Sequence, residues 1–184
     1  MAWLYMYDVR GIQDYVFRTN KMKEIILIKN GELVLKGLNR NTFEDILIKN
    51  MKKALKGIGE FQFTKSQSTI MVEPLDDDID LDDAVDVLKK VFGIAALSRA
   101  VVAEKNFDDI KKKTLEYLDE RLDEVSTFKV NAKRSDKKFA MKSPEICREM
   151  GACILSAHHH LKVDVHNPEL TVTVEVRDRF AFIH

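Results

Sequence analysis

Two cysteines, three prolines, seven glycines and one tryptophan are all that this 184-residue chain holds of the residue types that staple, break or anchor a small protein. With so little Pro and Gly there is no flexible linker, so any two domains are expected to pack together rather than tumble. Cys147 and Cys153 lie six apart on one predicted helix, on different faces and out of disulfide reach, which excludes a disulfide scaffold. They read as buried thiols in a reducing compartment, hence a cytoplasmic protein. No apolar run approaches the ~20 residues of a membrane span, and the start lacks a signal-peptide core. Net charge is also missing: 30 Lys+Arg balance 30 Asp+Glu. Any nucleic-acid binding must therefore come from cations gathered on one face. No G-x-S-x-G, H-E-x-x-H, C-x-x-C or Walker loop occurs, and no catalytic residue is assigned.

What is present is clean periodicity, with 45% hydrophobic residues, enough for one generous core or two small ones. Residues 1–21 could form a strand, Trp3 to Val9, and a short helix, Ile12 to Phe17, and read as an extension. From Glu24 the pattern predicts a strand to Lys29, a glycine-bearing loop Asn30 to Arg40, and a helix Asn41 to Lys56 stopped by Gly57 and Gly59. Strands Glu60 to Thr64 and Thr69 to Glu73 follow, then an acidic run, a helix Asp82 to Phe92 stopped by Gly93, and a strand Ile94 to Ala103. This β-α-β-β-α-β order is that of a ferredoxin-like domain, 22–105. A second unit, 106–184, has a helix from Phe107 to Leu122 capped by Asn106, a strand Thr127 to Lys133 and a helix Pro144 to Ala157. Strands Leu161 to Val165 and Leu170 to Val176 are expected to form a hairpin around Asn167-Pro168-Glu169, and a last strand spans Phe180 to Ile183. The fold class is α+β.

The stretch FKVNAKRSDKKFAMKSPE carries the chemistry. Phe128, Val130 and Ala132 alternate with Lys129, Asn131 and Lys133, so the strand keeps its cations on the solvent side. Lys133, Arg134, Lys137, Lys138 and Lys142 then crowd a loop around Phe139, which is assigned to the core. Ser143-Pro144-Glu145 predicts a hydroxyl-capped helix start, and cations beside free backbone N–H groups suit phosphates. An ordinary solvated basic loop is the competing reading. Lys36 and Arg40, beside Gly37, form a weaker second phosphate-binding element, since glycines for turns and cations for solubility explain them too.

Other features receive bland readings. His158, His159 and His160 are read as surface residues, because three consecutive imidazoles cannot converge on one ion and no acid lies at ligand spacing; no metal site is expected. Asp164 and His166 read as a hairpin surface. The acidic run Glu73 to Asp86 lacks the spacing of a calcium loop and is explained by helix capping.

IILIKNGELVLKGLNRNTF resembles the start of the tRNA 4-thiouridine synthetase (tRNA sulfurtransferase) family, whose ferredoxin-like domain carries a G-E-x-x-x-K-G-x-N-R-x-x-F signature, here Gly31, Glu32, Lys36, Gly37, Asn39, Arg40 and Phe43. FKVNAKRSDKKFAMKSPE with VDVHNPELTVTVEVR looks like the THUMP domain that follows in that family. The resemblance covers residues 22–184 and implies a tRNA-binding module recognising the acceptor stem and 3′ CCA end. It also implies, for the family, a catalytic pyrophosphatase-type domain using ATP and Mg with an S-G-G-x-D-S loop, a cysteine desulfurase as sulfur donor, a link to thiamine biosynthesis, and a homodimer as one assembly. No such loop occurs in this sequence, so no cofactor is expected here. The alternatives are the RNA-binding half of another THUMP enzyme, or an assembly module recruited through residues 1–21, whose GIQDYVFRTNK resembles a segment of the large subunit of type III CRISPR effector complexes.

Overall fold

A computed structural model describes residues 22–30, 40–66 and 69–184, with the backbone alone at Asn30 and Arg40. The strand and helix expected within 1–21, and most of the G-E-x-x-x-K-G-x-N-R signature, lie outside the described residues. The order is β1 (Glu24–Asn30), α1 (Arg40–Leu55), β2 (Phe61–Ser66), β3 (Thr69–Pro74), α2 (Leu81–Leu88), β4 (Ile94–Glu104). It continues with α3 (Phe107–Asp123), β5 (Thr127–Arg134), α4 (Ser143–Ala157), β6 (Lys162–Val163), β7 (Leu170–Val176) and β8 (Phe180–Ile183).

All eight strands belong to one sheet, ordered β2-β3-β1-β4-β8-β7-β5-β6. The first four give the antiparallel ferredoxin-like arrangement. β4 joins the halves: its residues up to Val101 pair with β1, and Val101 to Glu104 pair with β8. β7 runs antiparallel to β8 but parallel to β5, which also takes β6 as a parallel edge strand. This corrects the expected hairpin: β6 has only two residues and never meets β7. Asp164 ends it instead, its carboxylate accepting the N–H groups of His166 and Asn167 at 2.8 and 3.0 Å.

The helices cover one face. Leu47, Met51 and Leu55 of α1 and Leu81, Ala84 and Leu88 of α2 pack on Ile26, Ile28, Ile70 and Val72. Ile110, Leu118 and Leu122 of α3 and Ile146, Met150 and Ile154 of α4 pack on Val101, Phe128, Val174, Val176 and Ile183. Each such side chain larger than Ala84, fully buried, contributes about 1.5–3 kcal/mol. Register places Ile26 opposite Arg99 and Glu24 opposite Val101, so both cores lie on the same side of the sheet. α2 is capped by the Asp80 carboxylate on the Asp82 N–H, α3 by Asn106 on the Asp109 N–H. Gly93, at φ +100°, makes the turn into β4 in a conformation side chains avoid, and a Cβ there would sit 3.0 Å from Phe43.

Between the halves, on the helix side, Arg99 of β4 donates to Glu24 of β1 at 2.8 Å and to Asp82 of α2 at 2.6 Å. The Tyr117 hydroxyl of α3 donates to the same Glu24 at 3.2 Å. Burial, reinforced by the Glu24 charge, pushes the Tyr117 phenol up to about 12.

The opposite face is free of helices among the described residues. Ile25, Leu27, Ala100, Val102 and Phe182 form a third, smaller core there. Arg177, just past β7, reaches Thr69 on β3 (Nη2 to Oγ1, 3.1 Å), although β1, β4 and β8 lie between them in the sheet. The sheet therefore coils, and its helix-free face is concave.

Candidate nucleic-acid interface

The concave face is organised around one acid. Glu175 points from β7 into it with its side chain only 7% exposed, within 2.7 Å of Arg177 Nη2 and 3.4 Å of His184 Nε2. The ammonium groups of Lys29 and Lys133 lie 3.8 and 3.5 Å from its Oε1. Hydrogen bonding from His184, then from Arg177, holds the Glu175 carboxyl far below the usual carboxylate range despite burial. Lys29 is pushed down, first by burial and then by repulsion from Lys133. Three cationic side chains thus share one carboxylate, leaving a local excess of positive charge.

Arg177 is the most constrained of them. Its guanidinium lies 5.4 Å from the Phe182 ring centre, and Nη1 is the one buried side-chain nitrogen or oxygen without a hydrogen-bond partner among the described residues. Beside it a groove of about 370 Å³ has a lining of mixed charge that includes Lys23, Lys65, Glu73, Arg177, Asp178 and Arg179.

The basic loop follows directly from β5. As expected, Phe128 is buried and Val130 and Ala132 pack on the helix-side core, while Lys129, Asn131 and Lys133 face the other way. Inside the loop Asp136 is buried against Lys105 at 2.6 Å, and the Lys105 ammonium also donates to the Asp178 carbonyl. That ion pair, with the Lys138 N–H, pulls the Asp136 carboxyl below its ordinary value. Arg134 Nη1 donates to the carbonyls of Phe139 and Met141, each at 3.1 Å. Arg134 is therefore a brace for the loop as well as a charge, and was missed as such by sequence reasoning. Phe139 is buried, as assigned. Lys137, Lys138 and Lys142 are exposed.

Several expectations change. Ser143 is not the cap of α4: the helix includes it, and the Lys142 N–H donates to Glu145 at 2.7 Å. Cys147 and Cys153 are free but only half-buried. His158 is buried rather than on the surface, and an acid does stand beside it, Asp123 of α3 at 2.9 Å. Lys36 lies outside the described residues, and of Arg40 only the backbone, at the start of α1, is described. The structure brings Lys133 together with Lys29, Arg177 and His184, none of which sequence reasoning had selected. Their only signal was a cation ending each of the apolar runs of β1 and β7.

Comparison with known proteins fits this geometry. The ThiI ferredoxin-like domain family matches residues 25–98, and the THUMP domain family matches residues 104–184. Neither match extends to residues 1–21. A probable tRNA sulfurtransferase of Acetivibrio thermocellus is 42% identical over 165 residues, covering 89% of this chain and 42% of that protein. The chain thus spans about two fifths of the length of the curated relatives it matches. A crystal structure of a 4-thiouridine synthetase–RNA complex with bound ATP superposes with a TM-score of 0.74 at 33% identity, covering 88% of this chain and 40% of that one. The crystal structure of PH1313 from Pyrococcus horikoshii gives 0.77 at 26% identity, covering 88% and 53%. A concave basic sheet shared by two domains, each matched by its own family in this order, means that the chain carries the ferredoxin-like plus THUMP region of the tRNA sulfurtransferase family.

Proposed function

We propose that this chain is a tRNA-binding module of a tRNA 4-thiouridine synthetase, presenting its concave face and basic loop to the acceptor stem and 3′ CCA end. The observation that carries the reading is the convergence of Lys29, Lys133 and Arg177 on one carboxylate, with the exposed Lys137, Lys138 and Lys142 in the loop that follows Lys133 in the chain. Cations held at fixed spacing neutralise successive phosphates, whereas mobile surface lysines would lose more entropy on binding. Lys129 extends the same strand face, and Lys36 and Arg40 are assigned to the interface on the strength of the family signature.

In this reading the module supplies substrate grip, and thiolation chemistry using ATP and Mg, with sulfur from a cysteine desulfurase, belongs to a catalytic domain that these 184 residues do not contain. The same reading assigns the module to the cytoplasm, with its tRNA. No helix of the described residues is long and apolar enough to cross a membrane. Fluorescence anisotropy with intact and CCA-trimmed tRNA tests the assignment. The expected result is tighter binding of intact tRNA at equal salt; equal affinity for both would remove the 3′ end from the recognised surface.

A further inference from the structure

We propose that Asp123, His158 and His160 form a binding site for a divalent transition metal of the zinc class, fastening the C-terminal end of α3 to the segment that leaves α4. One ligand atom from each lies within 4.8 Å of the others, and this is the one such grouping of three among the described residues. The consecutive histidines do not act together: the chain turns after α4 so that His158 and His160 meet edge to face, ring centres 6.1 Å apart, while His159 points into solvent.

The local chemistry calls for a cation. His158 is buried, yet both its ring nitrogens face carboxylates, Nδ1 at 2.9 Å from Asp123 and Nε2 at 3.4 Å from Asp119. A neutral imidazole carries one N–H, so one lone pair would confront a carboxylate oxygen. A proton or a metal ion between His158 and Asp123 removes the conflict, and the nearby second imidazole favours the metal. The outer contacts are those a metal-bound histidine uses. His160 Nε2 lies 3.2 Å from the Leu122 carbonyl, and donation there leaves Nδ1 as its lone-pair nitrogen. Asp119 is placed to accept from His158 Nε2 when Nδ1 turns to the metal.

Two imidazoles and a carboxylate suit zinc, cobalt or nickel better than magnesium or calcium, which prefer all-oxygen shells. Metal–ligand bonds near 2.0–2.2 Å imply ligand atoms about 3.4 Å apart around a tetrahedral ion, with water as the fourth ligand. The exposed His160 side chain can close on the other two, and the exposed Asp123, already 2.9 Å from His158 Nδ1, opens slightly to admit the ion. The site lies at the opposite end of α4 from the basic loop, about 20 Å away at the helical rise of 15 residues. It is structural and independent of the RNA-binding assignment.

The test uses the full chain without an affinity tag, freed of metal by a chelator that is then removed. Cobalt titration at neutral pH is followed by visible absorption, and thermal unfolding is measured with zinc. One equivalent of cobalt should produce a ligand-field band. Zinc at a hundredfold excess over its Kd should raise the midpoint by about 5–10 °C for a chain of this size. His160→Ala and Asp123→Asn, both at exposed positions, should lose the band and the shift, and His159→Ala should keep them. Absence of both effects in the unmodified chain, their survival in His160→Ala, or equal loss in His159→Ala would overturn the site.

Discussion

Lys29 and Lys133, at the ends of β1 and β5, direct their ammonium groups at the same Oε1 of Glu175, 3.8 and 3.5 Å away. Repulsion between them is tolerated because the carboxylate between them stays ionised. Glu175 thus holds together a cationic surface that would otherwise spread.

Removing that acid tests stability and binding together. Glu175→Gln should cost about 2–3 kcal/mol at pH 7, since charged hydrogen bonds are lost and three cations remain. The folded pKa of Glu175 is depressed, so its contribution is present above the unfolded carboxyl value and is lost as pH falls below about 4.5. Urea unfolding should therefore show wild type and variant converging progressively as pH falls below about 4.5. Where the variant is folded, its affinity for RNA should fall while the slope of log K against log salt is kept, because the three cations remain but lose the carboxylate that fixes their spacing.

The exposed lysines of the loop carry the opposite pattern. Lys137→Glu with Lys138→Glu should weaken tRNA binding and reduce the slope of log K against log salt by about 1.4–1.8, at roughly 0.7–0.9 per phosphate contact. Circular dichroism and the unfolding midpoint should be nearly unchanged, as solvated charges contribute little. An unchanged slope would place the phosphates elsewhere on the concave face.

Arg134 should behave differently from those neighbours. Arg134→Gln frees the carbonyls of Phe139 and Met141, so stability should fall by about 1–3 kcal/mol and amide exchange across 135–142 should accelerate. A variant that loses RNA affinity with exchange unaltered would make Arg134 a contact rather than a brace.

Tyr117 reports on the junction. Tyr117→Phe removes one bond to Glu24 and should cost about 1 kcal/mol, or 2–4 °C in Tm. Because the folded phenol titrates at about 12, above its unfolded value near 10, this tyrosine makes the chain lose stability as pH rises from 10 to 12. Alkaline unfolding curves should show that loss reduced in the phenylalanine variant.

Sequence periodicity revealed the ferredoxin-like order, the β5 alternation and the burial of Phe139, because each depends on neighbours a few residues away. The expected β6–β7 hairpin failed for a reason of the same kind: alternation in Leu161 to Val165 signals an extended chain but does not name its partner. His158 was misread because its acids come from α3, 35 residues earlier. Lys29 was invisible because only the coiling of the sheet brings β1 to Glu175 across β4 and β8, whereas Arg177 lies two residues along the chain and His184 follows the neighbouring strand β8, contacts that alternation alone does not mark. The helix start at Lys142 shows the usual one-residue uncertainty of capping signals.

β4 has a consequence for how a partner is measured. Its 11 residues hydrogen-bond to β1 along most of their length and to β8 at the end, so backbone ladders occupy the place where other two-domain proteins have a hinge. The cations of the first half and those of the second sit on one rigid ruler. For the tRNA ligand proposed above, this predicts selection by the spacing of its phosphates, since the protein cannot bend at β4 to meet a different pitch.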